Sequence, residues 1–408
     1  MPVPPVASSE PFPASGLSGT RSNYLDLALA FQTSYYDNLL AGTSSRPIAD
    51  EGFSIAPEVE FNQLTPRLHE SWAYRSSFLF YRETSARNDA DQSAALDIQY
   101  RLSPHLTVSG HDIFEKSSNV FDQGYSLGVG PISGAPPSSP VNVIAPYAGQ
   151  LTNTAGAEIA YQFSKNQIAG GGGNASTLQY RNQPEDAGLY NSTSRGASVF
   201  YNRRLLGAQY AGLTYRYLKI LGQPANGNLQ IDTHTLFFTY GITLDQRLTV
   251  SAAIGPQFYN YAQSRLPASH SLTQAVTVSA SWQGLHTAFA TNFSRSVVGG
   301  AGQLGALSSS AIGASAQWQV ARAWSLASAF SYATYKNVTP SFDLSSRGGN
   351  STAGSISLDH RLNDRFLAQI GYQRLHQAYE SVQAIEANPD ANSAFVSISY
   401  HLSRPLGR

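Results

Sequence analysis

The sequence lacks cysteine and has few charged residues. Because there is no Cys among its 408 residues, disulfide frameworks, thiol catalysis and cysteine-ligated metal sites are excluded. Charged residues make up 13% of the chain, about half of what is usual in soluble proteins. The 26 basic residues are balanced by 26 acidic ones, so nothing attracts a polyanion. We therefore predict no nucleic-acid partner and expect a solvent other than water around part of the surface.

Long apolar runs are also missing. No stretch of about 18 consecutive apolar residues occurs, which excludes transmembrane helices. Residues 1–22 are rich in Pro and Ser and have neither the basic start nor the apolar centre of a secretory signal, so we predict a disordered lead. Met1 is the only methionine. We expect a mature chain whose export signal has been removed.

Apolar and small or polar residues alternate with a period of two along most of the chain. In the first such segment Leu25, Leu27, Leu29 and Phe31 share one face, and small or polar residues occupy the other. The last segment follows the same pattern up to Leu402. This alternation predicts β-strands with one apolar face and one polar face.

Aromatic residues recur about every 40 residues, each shortly before a tight turn, and these turns alternate with long loops. Such regular alternation is typical of transmembrane barrels, in which all backbone groups are paired and the sheet has no open edge. We predict an all-β fold, a single closed antiparallel barrel over residues 23–402, of about 18 strands with 16 as the alternative, short periplasmic turns and long external loops. Residues 403–408 form a predicted C-terminal tail. The aromatic markers predict a periplasmic girdle of Tyr100, Tyr161, Tyr201, Tyr240, Trp282, Trp318 and Tyr400.

The polar faces of the strands predict the lining of the lumen. The longest external loop, residues 117–150, contains apolar anchors and stiff Pro-rich sequence, and we predict that it bends inward as a constriction. Pairing of opposite charges across the wall and a selectivity filter are both open interpretations of the inward charges. The predicted lumen-facing residues are Glu58, Glu60, Arg75, Asp97, Arg101, Glu158, Arg216, Arg295, Asp359 and Arg361.

Two glycine-containing motifs suggest chemistry that their context does not support. Gly124–Gly128 matches the G-x-S-x-G nucleophile motif but lies in the long loop, with no helix after it. Gly170–Gly173 lacks the lysine and the helix of a phosphate-binding loop. We therefore predict no catalytic residue, no cofactor and no metal site.

Three segments resemble bacterial outer-membrane barrels of the β-barrel porin 2-like type, which occur alongside exopolysaccharide export systems. They are Tyr35–Asn38, Phe53–Glu58 and the closing strand Phe395–Leu402. The resemblance implies the outer membrane of a Gram-negative-type bacterium and an encounter with the barrel-insertion machinery. Many such barrels end on an aromatic residue, whereas this chain continues past Tyr400.

The sequence thus favours a porin-like channel for passive diffusion of polar solutes, with saccharides or exopolysaccharide-related solutes as candidates. Its expected partners are outer-membrane lipid, lipopolysaccharide and the solutes themselves. The alternative is a structural or adhesive barrel with a closed lumen and functional external loops. An outer-membrane hydrolase is a weaker third hypothesis, and we predict that the protein is not an enzyme.

Overall fold

A computed structural model of the chain gives the fold for most of its length. The described residues are 23–39, 47–118, 121, 149–181, 190–205, 207–223, 228–244, 247–263, 269–300, 304–337, 348–380 and 390–406. The predicted disordered lead and the motif Gly124–Gly128 lie outside them, as does most of the predicted constriction loop. A 3-10 turn at Ser85–Arg87 is the only helical element within these ranges.

The chain forms eighteen β-strands in a single sheet. They are β1 (Tyr24–Tyr36), β2 (Asp50–Leu64), β3 (Leu68–Tyr81), β4 (Asp89–Arg101), β5 (Leu106–Ser117), β6 (Gly149–Ser164), β7 (Gln167–Arg181), β8 (Ser192–Arg204), β9 (Gln209–Gly222), β10 (Leu229–Leu244), β11 (Leu248–Gln263), β12 (Ser269–Gln283), β13 (Thr287–Gly300), β14 (Leu304–Ala321), β15 (Trp324–Asn337), β16 (Gly348–Arg361), β17 (Phe366–Glu380) and β18 (Asp390–Pro405).

Each strand pairs antiparallel with its neighbours in sequence, and β1 pairs with β18 to close the sheet. The prediction of a single closed barrel of eighteen strands is confirmed. Its C-terminal end needs a correction, because Ser403, Arg404 and Pro405 continue β18 instead of forming a tail. They lie opposite Asp26, Leu25 and Tyr24, and this pairing extends the closing ladder to the first residue of β1.

The two faces of the wall differ as the alternation predicts. On the outer face large apolar side chains are exposed, among them Phe31 at 49%, Phe53 at 53% and Phe238 at 58%. On the inner face small residues such as Ala56 alternate with polar ones and are largely buried. An apolar outer surface around a polar interior is the arrangement that a barrel needs in a bilayer.

Among the described residues, no helix is long and apolar enough to cross a membrane.

The ladder between β12 and β13 is the shortest in the described barrel. It runs from Gln283 opposite Ala288 to Val276 opposite Arg295 and stops there, although β13 continues. Beyond it the Val297 N–H donates to Gln257 Oε1 of β11 at 2.8 Å, and Gln257 Nε2 donates to the Val297 carbonyl at 3.4 Å. Because Gln257 faces inward, the part of β13 nearest its loop end leans into the lumen. There the Gln257 side chain takes the place of the missing strand partner.

Candidate functional site

The inner wall of the barrel is the candidate functional site, and the strand registers fix which residues contribute to it. Residues directly opposite each other on neighbouring strands share a face. The inward face carries nine of the predicted lumen residues, namely Glu58, Glu60, Arg75, Asp97, Arg101, Glu158, Arg216, Asp359 and Arg361.

Arg295 is the exception, and its predicted inward position is wrong. It lies opposite Val276 of β12 and two residues from the outward Phe293, so it belongs to the outer face. The prediction failed because the alternation is weak around Arg295, which stands between two serines.

Inward charge is concentrated on the half of the wall formed by β16–β18 and β1–β6, here called the charged half. Its carboxylates outnumber its guanidinium groups. The inward acidic residues are Asp26, Asp50, Glu58, Glu60, Asp89, Asp91, Asp97, Glu115, Glu158 and Asp359, and the inward arginines are Arg75, Arg101 and Arg361. The ten predicted lumen residues contain equal numbers of acidic and basic side chains, whereas the inward residues of the charged half contain an excess of acidic ones.

Two acidic side chains of the charged half stand directly opposite each other. Asp26 of β1 faces Glu60 of β2, and Glu58 is the next inward residue along β2. Like charges at opposite positions destabilise a strand pair. Arg75 lies opposite Glu58, and the Ser403 hydroxyl donates to Asp26. These contacts reduce the repulsion but leave the local charge negative.

The opposite half, formed by β7–β15, is here called the hydroxyl half. In its described part the inward charged residues are Arg204 and Arg216, and the Arg216 guanidinium lies 5.3 Å from the centre of the Phe237 ring. Its hydroxyl groups form cross-strand pairs, such as Ser176 with Ser194 at 2.8 Å. Its inward polar residues include Thr214, Thr235, Thr239, Ser251, Thr277, Ser279, Asn292, Ser315 and Gln317.

An apolar cluster occupies the lumen at the loop end of the charged half. Phe121, from the predicted constriction loop, packs with its ring centre 5.6 Å from that of Tyr36, and Leu79, Tyr81 and Leu375 surround the pair. Tyr36, Leu79, Tyr81 and Leu375 occupy inward positions on β1, β3 and β17. Phe121, four residues after the end of β5 at Ser117, thus contacts an inward side chain of β1.

A second apolar cluster lies at the loop end of the hydroxyl half. Tyr190, just before β8, packs with Ile231, Tyr259, Tyr261 and Val297. Burial raises the pKa of the Tyr190 hydroxyl, and the neighbouring Tyr261 raises it further. Both clusters thus place buried apolar side chains at the loop end of the barrel.

Carboxylates hold the loop ends of the charged half in place. Asp50 accepts hydrogen bonds from the backbone N–H groups of Glu83 and Thr84 and from the Thr84 hydroxyl. Asp91 accepts two from Ser118. These residues were not identified from the sequence, because their donors come from loops that are far away along the chain.

Comparison with known proteins finds similarity to solved structures. The chain matches no protein-family model and no curated protein. Among solved structures it is similar to Pseudomonas aeruginosa OccK2 (OpdF), at 10% identity and a TM-score of 0.45 over 94% of this chain and 98% of that one. It is similar to P. aeruginosa OpdK at 11% and 0.42, over 93% and 99%. The FrpB iron transporter from Neisseria meningitidis matches at 11% and 0.43, over 92% of this chain and only 65% of that one. Likenesses this distant do not identify a solute.

The remaining sequence predictions concern metals and the girdle. Within the described ranges no group of three or more metal-ligating side chains comes together. The seven predicted girdle residues lie on the outward face close to the short turns, with Tyr100, Tyr161 and Trp318 among the exposed ones. Their position at the periplasmic headgroups stays a prediction.

Proposed function

We propose that the protein is an outer-membrane channel of a Gram-negative-type bacterium through which polar solutes diffuse passively. The observation that carries this proposal is the closed eighteen-strand wall with an apolar outer face and a polar inner face. Wall side chains alone do not fill a barrel of this size. The distant porin-like architecture of the structural neighbours agrees with the proposal without adding to it.

The two halves of the wall support different solute classes. The hydroxyl half offers many donors and acceptors without charge, which suits saccharides and other neutral polyols. The charged half favours cations over anions. A link to exopolysaccharide export, and membership of the β-barrel porin 2-like type, rest on the sequence resemblance alone.

The test is single-channel conductance of the purified protein in planar bilayers, followed by sugar uptake into proteoliposomes. Stepwise conductance and uptake of small sugars are the expected results. A barrel that inserts fully but conducts nothing would contradict the proposal.

The second candidate function is the structural or adhesive barrel with a closed lumen. It is favoured by the two apolar clusters at the outer end, which bury Phe121 and Tyr190 inside the wall. Substitution of Phe121 by Ala separates the two functions. If the lumen conducts past a narrowing, conductance rises in this variant. If the lumen is closed for another purpose, conductance stays absent.

A further inference from the structure

We propose that the outer face of β6–β9 holds a binding site for a phosphorylated glycolipid of the outer leaflet, with Arg195 and Lys219 as its phosphate ligands. The proposal rests on the outer-membrane location proposed above. It assigns lipopolysaccharide, which the sequence predicts only as a general partner, to named residues.

The first observation is a pair of like charges. Arg195 of β8 and Lys219 of β9 are directly opposite each other, four residues or fewer from the loop ends of their strands. Both belong to the outward face, since Val199 and Tyr215 of the same ladder are exposed apolar residues. Like charges at opposite positions repel. An anion between the two heads would turn this repulsion into attraction.

The second observation concerns the carboxylate that lies nearest to the pair along the ladder. Asp232 of β10 lies opposite Lys219, but its Oδ1 accepts a hydrogen bond from the Tyr217 hydroxyl at 2.8 Å and its Oδ2 accepts one from the Gln230 amide at 2.5 Å. In the described part of the chain no ion pair joins Arg195 or Lys219.

A basic residue elsewhere on the outer wall shows how the protein can pair such a charge with its own carboxylate. On β17, Arg374 also faces outward near the loop end, but it forms an ion pair of 3.2 Å with Asp390 of β18, and His376 lies 3.9 Å from the same carboxylate. Arg374 is therefore paired within the protein, whereas none of the ion pairs within the described ranges includes Arg195 or Lys219.

The third observation is the surface beside the cationic pair. Arg195 lies opposite Ala175 of β7, and from this level towards the short-turn end the outward residues of β6, β7 and β8 are small as far as the exposed side chains of Ile159 and Val199. These small residues are Ala155, Ala157, Gly171, Gly173, Ala175 and Ala197. We call this surface the small-residue patch.

Position and chemistry together select the ligand. Two cations at the loop end of a lipid-facing wall are at the depth of outer-leaflet headgroups, and basic side chains there bind phosphate. The small-residue patch extends from them towards the membrane centre, where acyl chains lie. A free phosphate would use the cations alone, and a second barrel would use the patch alone. A phosphorylated glycolipid uses both.

The test measures thermal unfolding of the detergent-solubilised full chain while lipid A, dephosphorylated lipid A or inorganic phosphate is added. Lipid A should raise the unfolding temperature. The double variant Arg195→Gln with Lys219→Gln should need a roughly 30-fold higher lipid A concentration for the same rise, as two surface cations imply. Arg374→Gln is the matched control and should respond like the native chain.

A second variant tests the patch. A Cβ at Gly173 would meet only the Gly196 carbonyl oxygen, at 3.4 Å, so the larger side chain of Gly173→Leu has room on the outer face. This variant should lose most of the lipid A response. The proposal is overturned if the double variant responds like the native chain, if inorganic phosphate alone produces the same rise, or if Gly173→Leu changes only the oligomeric state. Because conductance is a separate measurement, absent conductance with an intact lipid A response would contradict the channel and not this site.

Discussion

The charged half and the hydroxyl half of the inner wall are both built from antiparallel strands joined as hairpins, but they differ in how their polar groups find hydrogen-bond partners. In the charged half, carboxylates accept hydrogen bonds from loop backbones, as at Asp50, or stand close to one another, as at Asp26 and Glu60. In the hydroxyl half, Ser251 and Ser279 pair across strands at 2.6 Å and leave no net charge. The backbone architecture therefore does not determine what the lumen attracts. The inward residues of each strand do.

The largest effect is expected when charge is placed on the wrong face of the hydroxyl half. Ile254 is exposed on the outer wall of β11, and Ser251 lies on the inner wall of the same strand. Ile254→Arg should destabilise the barrel by about 2 to 4 kcal/mol if the position lies near the bilayer midplane. Ser251→Arg should cost much less, because its head reaches water. Urea unfolding in liposomes measures both, and equal losses would mean that the two faces are assigned wrongly.

The next effect concerns Gln257 of the hydroxyl half, whose side chain bonds to the β13 backbone beyond the end of the β12–β13 ladder. Gln257 is almost fully buried and supplies both partners of the Val297 backbone. Gln257→Leu should lower the free energy of unfolding by about 1 to 3 kcal/mol, since two buried backbone groups lose their partners.

Gln317→Leu is the control for this substitution, because it removes an inward amide that is only partly buried. It should change stability little. An equal loss in both variants would show that lumen polarity, and not the connection to β13, stabilises this part of the wall.

Much of this architecture is predictable from the sequence, because strand alternation is a local property. A period of two sets the faces, and tight turns set the order of the strands, so eighteen antiparallel neighbours follow without tertiary information. The excess of acid on one half is also contained in the sequence, once each inward residue is assigned to its strand. For Arg295, the outward Phe293 two residues earlier would have been sufficient to assign the face.

The contacts that join distant segments are not predictable in this way. Phe121 packs against Tyr36 from four strands away, and Gln257 bonds to Val297 across the intervening β12. The outward cationic pair depends on the register between β8 and β9, which places Arg195 and Lys219 at the same level. Register follows from how the whole wall closes, and a one-residue shift would separate these partners.

A smaller effect is expected on ion selectivity, and it belongs to the charged half. Replacing Asp26 by Asn together with Glu58 and Glu60 by Gln removes three neighbouring carboxyl groups from the lumen. The ratio of cation to anion permeability should fall by up to about tenfold, because counter-ions are no longer concentrated there. Reversal potentials in a potassium chloride gradient measure this ratio. An unchanged reversal potential would show that ions do not pass close to these carboxylates.

The smallest effect is expected for neutral solutes, and it belongs to the hydroxyl half. Ser251→Ala with Ser279→Ala removes one hydrogen-bonded pair from the wall and leaves no unpaired partner behind. Sugar uptake into proteoliposomes should slow by a few fold at most, since one neutral hydrogen bond contributes about 0.5 to 1.5 kcal/mol. The reversal potential should not change, because no charge is altered. The three-carboxylate variant should do the reverse, with altered ion selectivity and nearly unchanged sugar uptake. If both variants changed both measurements together, ions and sugars would share one path, and the two halves of the wall would not act separately.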